Sequence, residues 1–483
     1  MKKKVLALTL LLGSINALAC TGIIVGKDAS ADGTMIFARN EDFGSGFNPK
    51  RFIVVNSKEY YTNKKESDVF HNPDTGFKMM MPVKKTYKYT LIPDVDQDYG
   101  VFGEAGTNEK GVMTSTTVSA NANDEILAVD PYVKGGLTEA DMASLILMSS
   151  KTAREGVELI ASIIDKHGAG EGNILFVADQ NEIWYMEIYT GHQYAAVKVP
   201  NDVYAIVPNA YYLGNVDLNS KDTIVSKDIK NLPVKHGLLK ENEKGFHLAL
   251  TYRENQRVYN QIRIWAGQNR LNPSTKEAFN NDKTFELFRK PDKKVELKDI
   301  MTILRDRYKG TEYYNDLSYR PIGIDTNLEA HIFQIRENLP PIMWLSMGSV
   351  EHAPFVPHYG NILSTPSTYS SSSYDYSEES LYWKSKLIHV FAKTDREKIG
   401  DNIVKYWSSV EDEFIRNQKQ VDKKYEYILK TKGSNSAKKF ATEMSYKNAK
   451  MIKEKTDKLY SDLAMFVANK VEAKPSKKIF EVK

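Results

Sequence analysis

The chain carries one cysteine in 483 residues, Cys20, directly behind a segment with the features of an export signal. Lys2, Lys3 and Lys4 form a basic start, Val5 to Leu12 an apolar run, and Ala17-Leu18-Ala19 the small-x-small pattern after which signal peptidase cuts. Cleavage there makes Cys20 the first residue of the mature chain. Its thiol and free α-amine then place a nucleophile and a base on one residue. Two other readings fit a lone cysteine: a small buried hydrophobe, or the acylated residue of a lipoprotein. Lipoprotein signals want Leu at the third position before the cysteine and a small residue at the second. Ala17 and Leu18 stand in the reverse order, which favours plain cleavage.

Several other residues gain a purpose beside such a thiol. Arg39-Asn40-Glu41-Asp42 ends an expected strand. An arginine near a thiol lowers its pKa and favours thiolate, and an aspartate can orient an α-ammonium. Asn209, after Val207-Pro208, could donate to an oxyanion. The turn Gly106-Thr-Asn-Glu-Lys-Gly111 could line the same cleft, or could be an ordinary surface turn. The nine histidines are scattered without ligand spacing and read as structural. With no imidazole partner in view, the α-amine is the expected base. No GxSxG elbow, HExxH pair or Walker loop occurs, and one cysteine cannot build a cysteine-rich metal site, so no metal or cofactor is expected.

The elements that must position these residues follow from patterning. Gly22 to Gly26 and Thr34 to Arg39 read as strands joined by a polar turn, with Phe52 to Val55 a third. Thr138 and Thr152 open capping boxes for two helices, the second ending at Gly168. Ile174–Ala178, Ile183–Tyr189, Tyr194–Val199 and Val203–Val207 form an antiparallel meander. Strands at His331–Arg336 and Ile342–Leu345 lie beyond a helix near Leu297 to Arg305. Strands, helices and strands without regular alternation predict an α+β layered fold. Residues 20–366 are expected to be the catalytic domain, Ser367–Ser380 a Ser/Tyr-rich surface segment or linker, and 381–483 a helical region with Trp383, Leu387 and Phe391 opening its buried stripe.

Composition narrows the function. At 41% hydrophobic and 27% charged, this is a folded chain. After Ala19 no apolar run approaches the length needed to span a bilayer. The net charge of +4 falls to +1 once Lys2 to Lys4 are removed, which argues against nucleic-acid binding.

The ordered motifs together resemble the dipeptidase family of Ntn hydrolases, typified by bacterial dipeptidase A. They are Cys20-Thr21, Gly26-Lys-Asp-Ala-Ser-Ala-Asp-Gly33, Arg39 to Asp42, Asn108-Glu-Lys-Gly111, Gly136-Leu-Thr-Glu139, Thr152-Ala-Arg-Glu-Gly-Val157, Gly168-Ala-Gly-Glu-Gly172, Trp184-Tyr-Met-Glu187, Pro208-Asn209 and Ile262-Arg263-Ile-Trp265. The resemblance spans residues 20 to about 365 and implies an αββα sandwich that hydrolyses short peptides. By the pattern shared with choloylglycine hydrolases and penicillin V acylases, it implies that Arg39 and Asp42 flank the thiol, that Asn209 contributes to the oxyanion hole, and that Arg263 is a distal active-site arginine. The expected partners are dipeptides or short peptides and, for maturation, signal peptidase. The expected location is outside a bacterial cytoplasm, and the sequence leaves a homo-oligomer open. Two rivals remain: an acylase on non-peptide amides of the penicillin V or bile-salt type, and a lipid-anchored peptide-binding protein without catalysis.

Overall fold

The computed structural model describes residues 20–43, 48–60, 68–73, 75–95, 102–116 and 119–470, so the expected signal segment 1–19 lies outside the described residues. Two antiparallel sheets form its centre. In the first, the order is β10 (Tyr204–Val207), β1 (Thr21–Val25), β2 (Met35–Asp42), β12 (Asn327–Ile335), β13 (Ile342–Met347) and β14 (Val356–Tyr359). The second runs β11 (Thr223–Val225), β9 (Tyr194–Lys198), β8 (Ile183–Ile188), β7 (Asn173–Ala178), β6 (Met113–Ser115), β5 (Gly103–Asn108), β4 (Tyr89–Pro93) and β3 (Ile53–Val55). Strands β1, β2, β7, β8, β12 and β13 are buried at every position. A sheet covered on both faces has no solvent side, which is why β1, β7 and β13 read as largely apolar runs, while the polar residues of β2 and β12 are buried with partners of their own.

The inner faces of the two sheets meet through aromatic side chains. Phe37 of β2 stacks on its register partner Phe333 at 4.7 Å and meets Phe176 of β7 edge-on at 6.2 Å. Gly22 belongs to this contact, because a Cβ there would lie 2.5 Å from the Phe176 ring. Helices α1 (Glu139–Ser149) and α2 (Ala153–His167) cover the outer face of the second sheet, packing Leu145, Ile146, Val157 and Ile160 against Leu175, Val177 and Met186. Thr152 caps α2 by accepting the Glu155 amide at 3.1 Å, and Gly168 ends it at φ 75°, as the sequence predicts. Helices α3 (Val258–Leu271) and α4 (Leu297–Leu304) cover the first sheet. The layers are therefore helix, sheet, sheet, helix, the expected αββα sandwich.

The C-terminal region departs from the expectation of a linked helical unit. Within 367–380 most residues lie at the surface, as expected, but Tyr369 is fully buried and its carbonyl accepts the Phe52 amide at 2.8 Å, which anchors the stretch to the sandwich. In α5 (Leu381–Lys393) the buried face is Leu381, Ser385, Ile388 and Ala392, while Trp383, Leu387 and Phe391 lie at its margin. Helix α6 (Asp401–Lys470) breaks at Gly433, which has φ 79°. Lys424 Nζ lies 5.2 Å from the Phe440 ring. Sixteen residues of straight helix would span about 24 Å, so the chain folds back at the glycine into a hairpin. Both arms cover the edge strand β14, through Tyr359–Asp422 at 2.7 Å and His358–Ser445 at 3.2 Å. Covering it removes an open edge that would otherwise pair with another chain. No helix among the described residues is long and apolar enough to cross a membrane.

Candidate active site

Strand alternation organises the site. Gly22 faces the second sheet, so Cys20, two residues earlier, points the same way, while Thr21 points toward the covering helices. On β2 the pairing Gly22↔Arg39 and Thr21↔Asn40 carries this division across. Arg39 and Glu41 therefore enter the space between the sheets, and Asn40 and Asp42 face the helical layer. The two expected flanking residues, Arg39 and Asp42, serve opposite faces of one strand.

Between the sheets, Arg39 is fully buried. It donates to the Thr116 carbonyl at 2.6 Å and to Glu104 at 2.6 Å, and pairs with Glu329 at 3.4 Å. Lys50, also buried, sits among Glu41 at 2.7 Å, Glu104 at 2.8 Å and Asp94. Those three carboxylates lie within 4.8 Å of one another, a spacing that suits a cation, and the Lys50 ammonium fills that role. Burial alone would raise the Glu104 pKa, but Lys50 and Arg39 hold it at about 2. Burial and the neighbouring Glu104 push Glu41 well above the usual carboxylate range, against the pull of Lys50. His331 lies beside Arg39 in the β2–β12 register, and its ring is engaged by Glu329 at 3.0 Å and Ser115 at 2.9 Å.

Burial pushes the Cys20 thiol up to about 12. The Arg39 charge is the strongest influence in the other direction, while Glu41 and Glu104 add to the rise. This corrects the expectation of a thiolate. Arg39 acts in the expected direction, but removal from water outweighs it, because a charge without solvent is costly. Burial thus favours the neutral thiol over the thiolate at this position.

On the helical side, Arg263 clasps the start of β1. Its guanidinium donates to the Cys20 carbonyl at 2.7 Å, to Thr21 Oγ1 at 3.1 Å and, from both Nη atoms, to Asn209 Oδ1 at 3.1 Å. Asn209 reaches this point because β10 pairs with β1 at Val207↔Gly22, and continuing that register by two residues sets Asn209 beside Cys20. The clasp fixes its amide: Nδ2 donates one proton to the Ser119 carbonyl at 2.9 Å, and among the described residues the other proton has no acceptor. An N–H held in this way can meet a developing oxyanion. The Asp42 carboxylate lies in the same layer and accepts from Arg320 at 2.5 Å and from Thr326.

Cys20, Arg39, Asp42, Asn209 and Arg263 are thus brought together. The turn at Gly106–Gly111 is not among them. Asn108 donates to the carbonyls of Leu147 and Ser150 at the end of α1, so this turn ties a hairpin to the outer helices. Residues that sequence reasoning passed over complete the surroundings. Asn260, one helical turn before Arg263, accepts from it at 2.5 Å and donates to the Asn209 carbonyl at 2.9 Å. Asn40 accepts the Thr21 amide at 2.8 Å. Glu139, expected only as a helix start, accepts from Ser119 at 3.0 Å, and burial with the neighbouring Glu171 and Glu104 pushes it up to about 8. The i,i+3 spacing of Asn260 and Arg263 and the i,i+2 spacing of Arg39 and Glu41 were signals that the sequence offered.

Comparison with known proteins adds family evidence. A protein of Streptococcus pyogenes called probable dipeptidase B is 37% identical over 485 residues, covering 95% of this chain and 94% of its own. A probable dipeptidase of Latilactobacillus sakei is 36% identical over 385 residues, covering 76% and 79%. A solved penicillin V acylase from Agrobacterium tumefaciens aligns at a TM-score of 0.32 with 11% identity, covering 70% of this chain and 86% of its own. The family model for Peptidase family C69 matches residues 19–409, from just before the thiol into the C-terminal hairpin. This chain belongs to peptidase family C69.

Proposed function

We propose that this protein is an exported cysteine dipeptidase in which Cys20, freed by removal of residues 1–19, is the nucleophile and its α-amine the base. The observation that carries the reading is the pairing of a buried thiol with a clasp on its own main chain. Arg263 and Asn40 hold the carbonyl of residue 20 and the amide of residue 21. A side-chain nucleophile has little need of so fixed a backbone, whereas an α-amine that must reach its own sulfur does. The named dipeptidase relatives support peptide substrates, and the basic, apolar and small-x-small pattern before Cys20 supports export.

In this mechanism the sulfur attacks the peptide carbonyl while the neutral α-amine takes the thiol proton. The second Asn209 N–H and main-chain amides stabilise the oxyanion. The α-ammonium then passes its proton to the leaving nitrogen as the C–N bond breaks, giving a thioester and a free amine. Water adds to the thioester, its proton returns through the amine to sulfur, and the acid product leaves. Intact mass of the exported protein, measured with its rate on a dipeptide library, tests the reading. A mass beginning at unmodified Cys20 and cleavage of dipeptides are expected. A diacylglycerol adduct, or turnover only of non-peptide amides, would defeat it.

A further inference from the structure

Resting on the dipeptidase reading, we propose that Arg320 binds the free carboxylate of the substrate and so restricts this enzyme to peptides that end one residue beyond the scissile bond. In a dipeptide the carboxylate carbon is only two bonds from the leaving nitrogen. The carboxylate therefore lies within about one residue's length, roughly 3.8 Å, of the reacting carbonyl, and the group that recognises it stands about 3 Å farther. Asp42 links the two positions: continuing the β1–β2 register from Thr21↔Asn40 sets Cys20 opposite Glu41, next to Asp42, whose carboxylate meets Arg320.

Three arginines meet the start of β1 or the end of β2, and they differ in what they have left to offer. Arg39 and Arg263 are fully buried and engaged by protein acceptors on several sides. The Arg320 side chain keeps 20% exposure and gives Asp42 one donor, from Nη2. Its Nε has no hydrogen-bond partner among the described residues. Arg320 also shares the half-buried Tyr259 ring with Arg263, each guanidinium 5.8 Å from the ring centre. A planar fork with unused donors, backed by an aromatic face and steadied by one carboxylate, suits a second carboxylate.

The backbone supports the same reading. Arg320 sits at φ 44°, and Tyr308 and Asn315 of the same segment have φ 62° and 58°. Left-handed backbone at non-glycine residues is held only where the surroundings enforce it, and such positions gather at binding and catalytic sites. Here Tyr308 enforces it by donating its hydroxyl to the Arg320 carbonyl at 3.2 Å.

The test is the ratio of kcat/KM for dipeptides to that for the same dipeptides as C-terminal amides. Wild type should prefer the free acid by about 10- to 100-fold, the worth of a hydrogen bond to a charged group. Arg320→Gln should bring the ratio close to one, whatever happens to the absolute rates, and Arg320→Lys should give an intermediate ratio. Equal wild-type rates on acid and amide would overturn the proposal while leaving the dipeptidase reading standing. An unchanged ratio in Arg320→Gln, with both substrates slowed alike, would show that Arg320 only positions Asp42. If Arg320→Gln is inactive, a lowered ratio in Arg320→Lys supports the proposal, and an inactive or unaltered Arg320→Lys overturns it. A wild type that cleaves neither substrate would remove the dipeptidase reading itself.

Discussion

Arg263, 243 residues along the chain from Cys20, donates to the main-chain carbonyl of Cys20 at 2.7 Å. A helix on one face of a sheet thereby fixes the backbone of a residue whose side chain works on the other face. The arrangement ties the angle at which residue 20 presents its nitrogen and sulfur to the packing of α3 on β10. Arg263→Lys keeps the charge but cannot reach Cys20, Thr21, Asn209 and Asn260 together. It should lower kcat by about 10-fold or more, as misplacement at a catalytic centre does, with less effect on KM. Steady-state kinetics on a good dipeptide substrate check this.

Cys20→Ala should abolish dipeptide hydrolysis, with a loss of at least about 10³-fold. Stability should change by less than about 1.5 kcal/mol, because one small buried side chain is exchanged for another. Substantial activity in a purified, correctly processed variant would remove Cys20 as nucleophile.

Arg39 has two effects that can be separated. Its replacement by Met leaves Glu104 and Glu329 short of a buried partner, which should cost about 3–5 kcal/mol. It also removes the strongest influence pulling the thiol pKa down, so alkylation of Cys20 by iodoacetamide at neutral pH should slow. Arg39→Lys should retain most of the alkylation rate. Unchanged alkylation in folded Arg39→Met would mean that Arg39 acts on substrate and not on sulfur.

The base can be identified by pH and by covalent state. An N-terminal amine has a reference pKa of about 7.7–8.0 and accepts a proton only when neutral. kcat/KM should therefore fall as pH drops through the pKa of that amine. A chain that keeps Ala19 has an amide nitrogen at residue 20 and should be inactive, as should a chain that begins at Cys20 but is acetylated there. Full activity in either form would refute the mechanism.

Glu139 predicts a stability signature. Its carboxyl rises from an ordinary 4.5 to about 8 because burial, then Glu171 and Glu104, disfavour the charge. The folded state thus holds a proton that the unfolded state releases near 4.5. The associated stability is fully present below about pH 4.5 and is lost as pH rises through 8. Glu139→Gln mimics the protonated form and should flatten that part of the Tm-against-pH curve, giving a higher Tm than wild type at pH 9. Parallel curves for the two proteins would contradict this.

By itself the sequence determined the position of Cys20, the strands that follow it, both helix caps and the parity along β2, because each depends on neighbours within a few residues. Alternation at Arg39-Asn40-Glu41-Asp42 already implied two faces. Only tertiary structure decided what those faces meet. Lys50, Asp94, Glu104 and Glu329 converge on Arg39 and Glu41 from strands and loops far apart in sequence, and Arg320 reaches Asp42 from a segment 278 residues away. The sign of the thiol shift belongs with these. Arg39 argued for a low pKa, yet desolvation is set by everything packed around the sulfur, and no local pattern records that total. The Ser/Tyr-rich stretch at 367–380 shows the same limit: much of it lies at the surface, as its composition suggests, but Tyr369 is buried beside Phe52 and His358, residues that its own neighbours in the chain do not reveal.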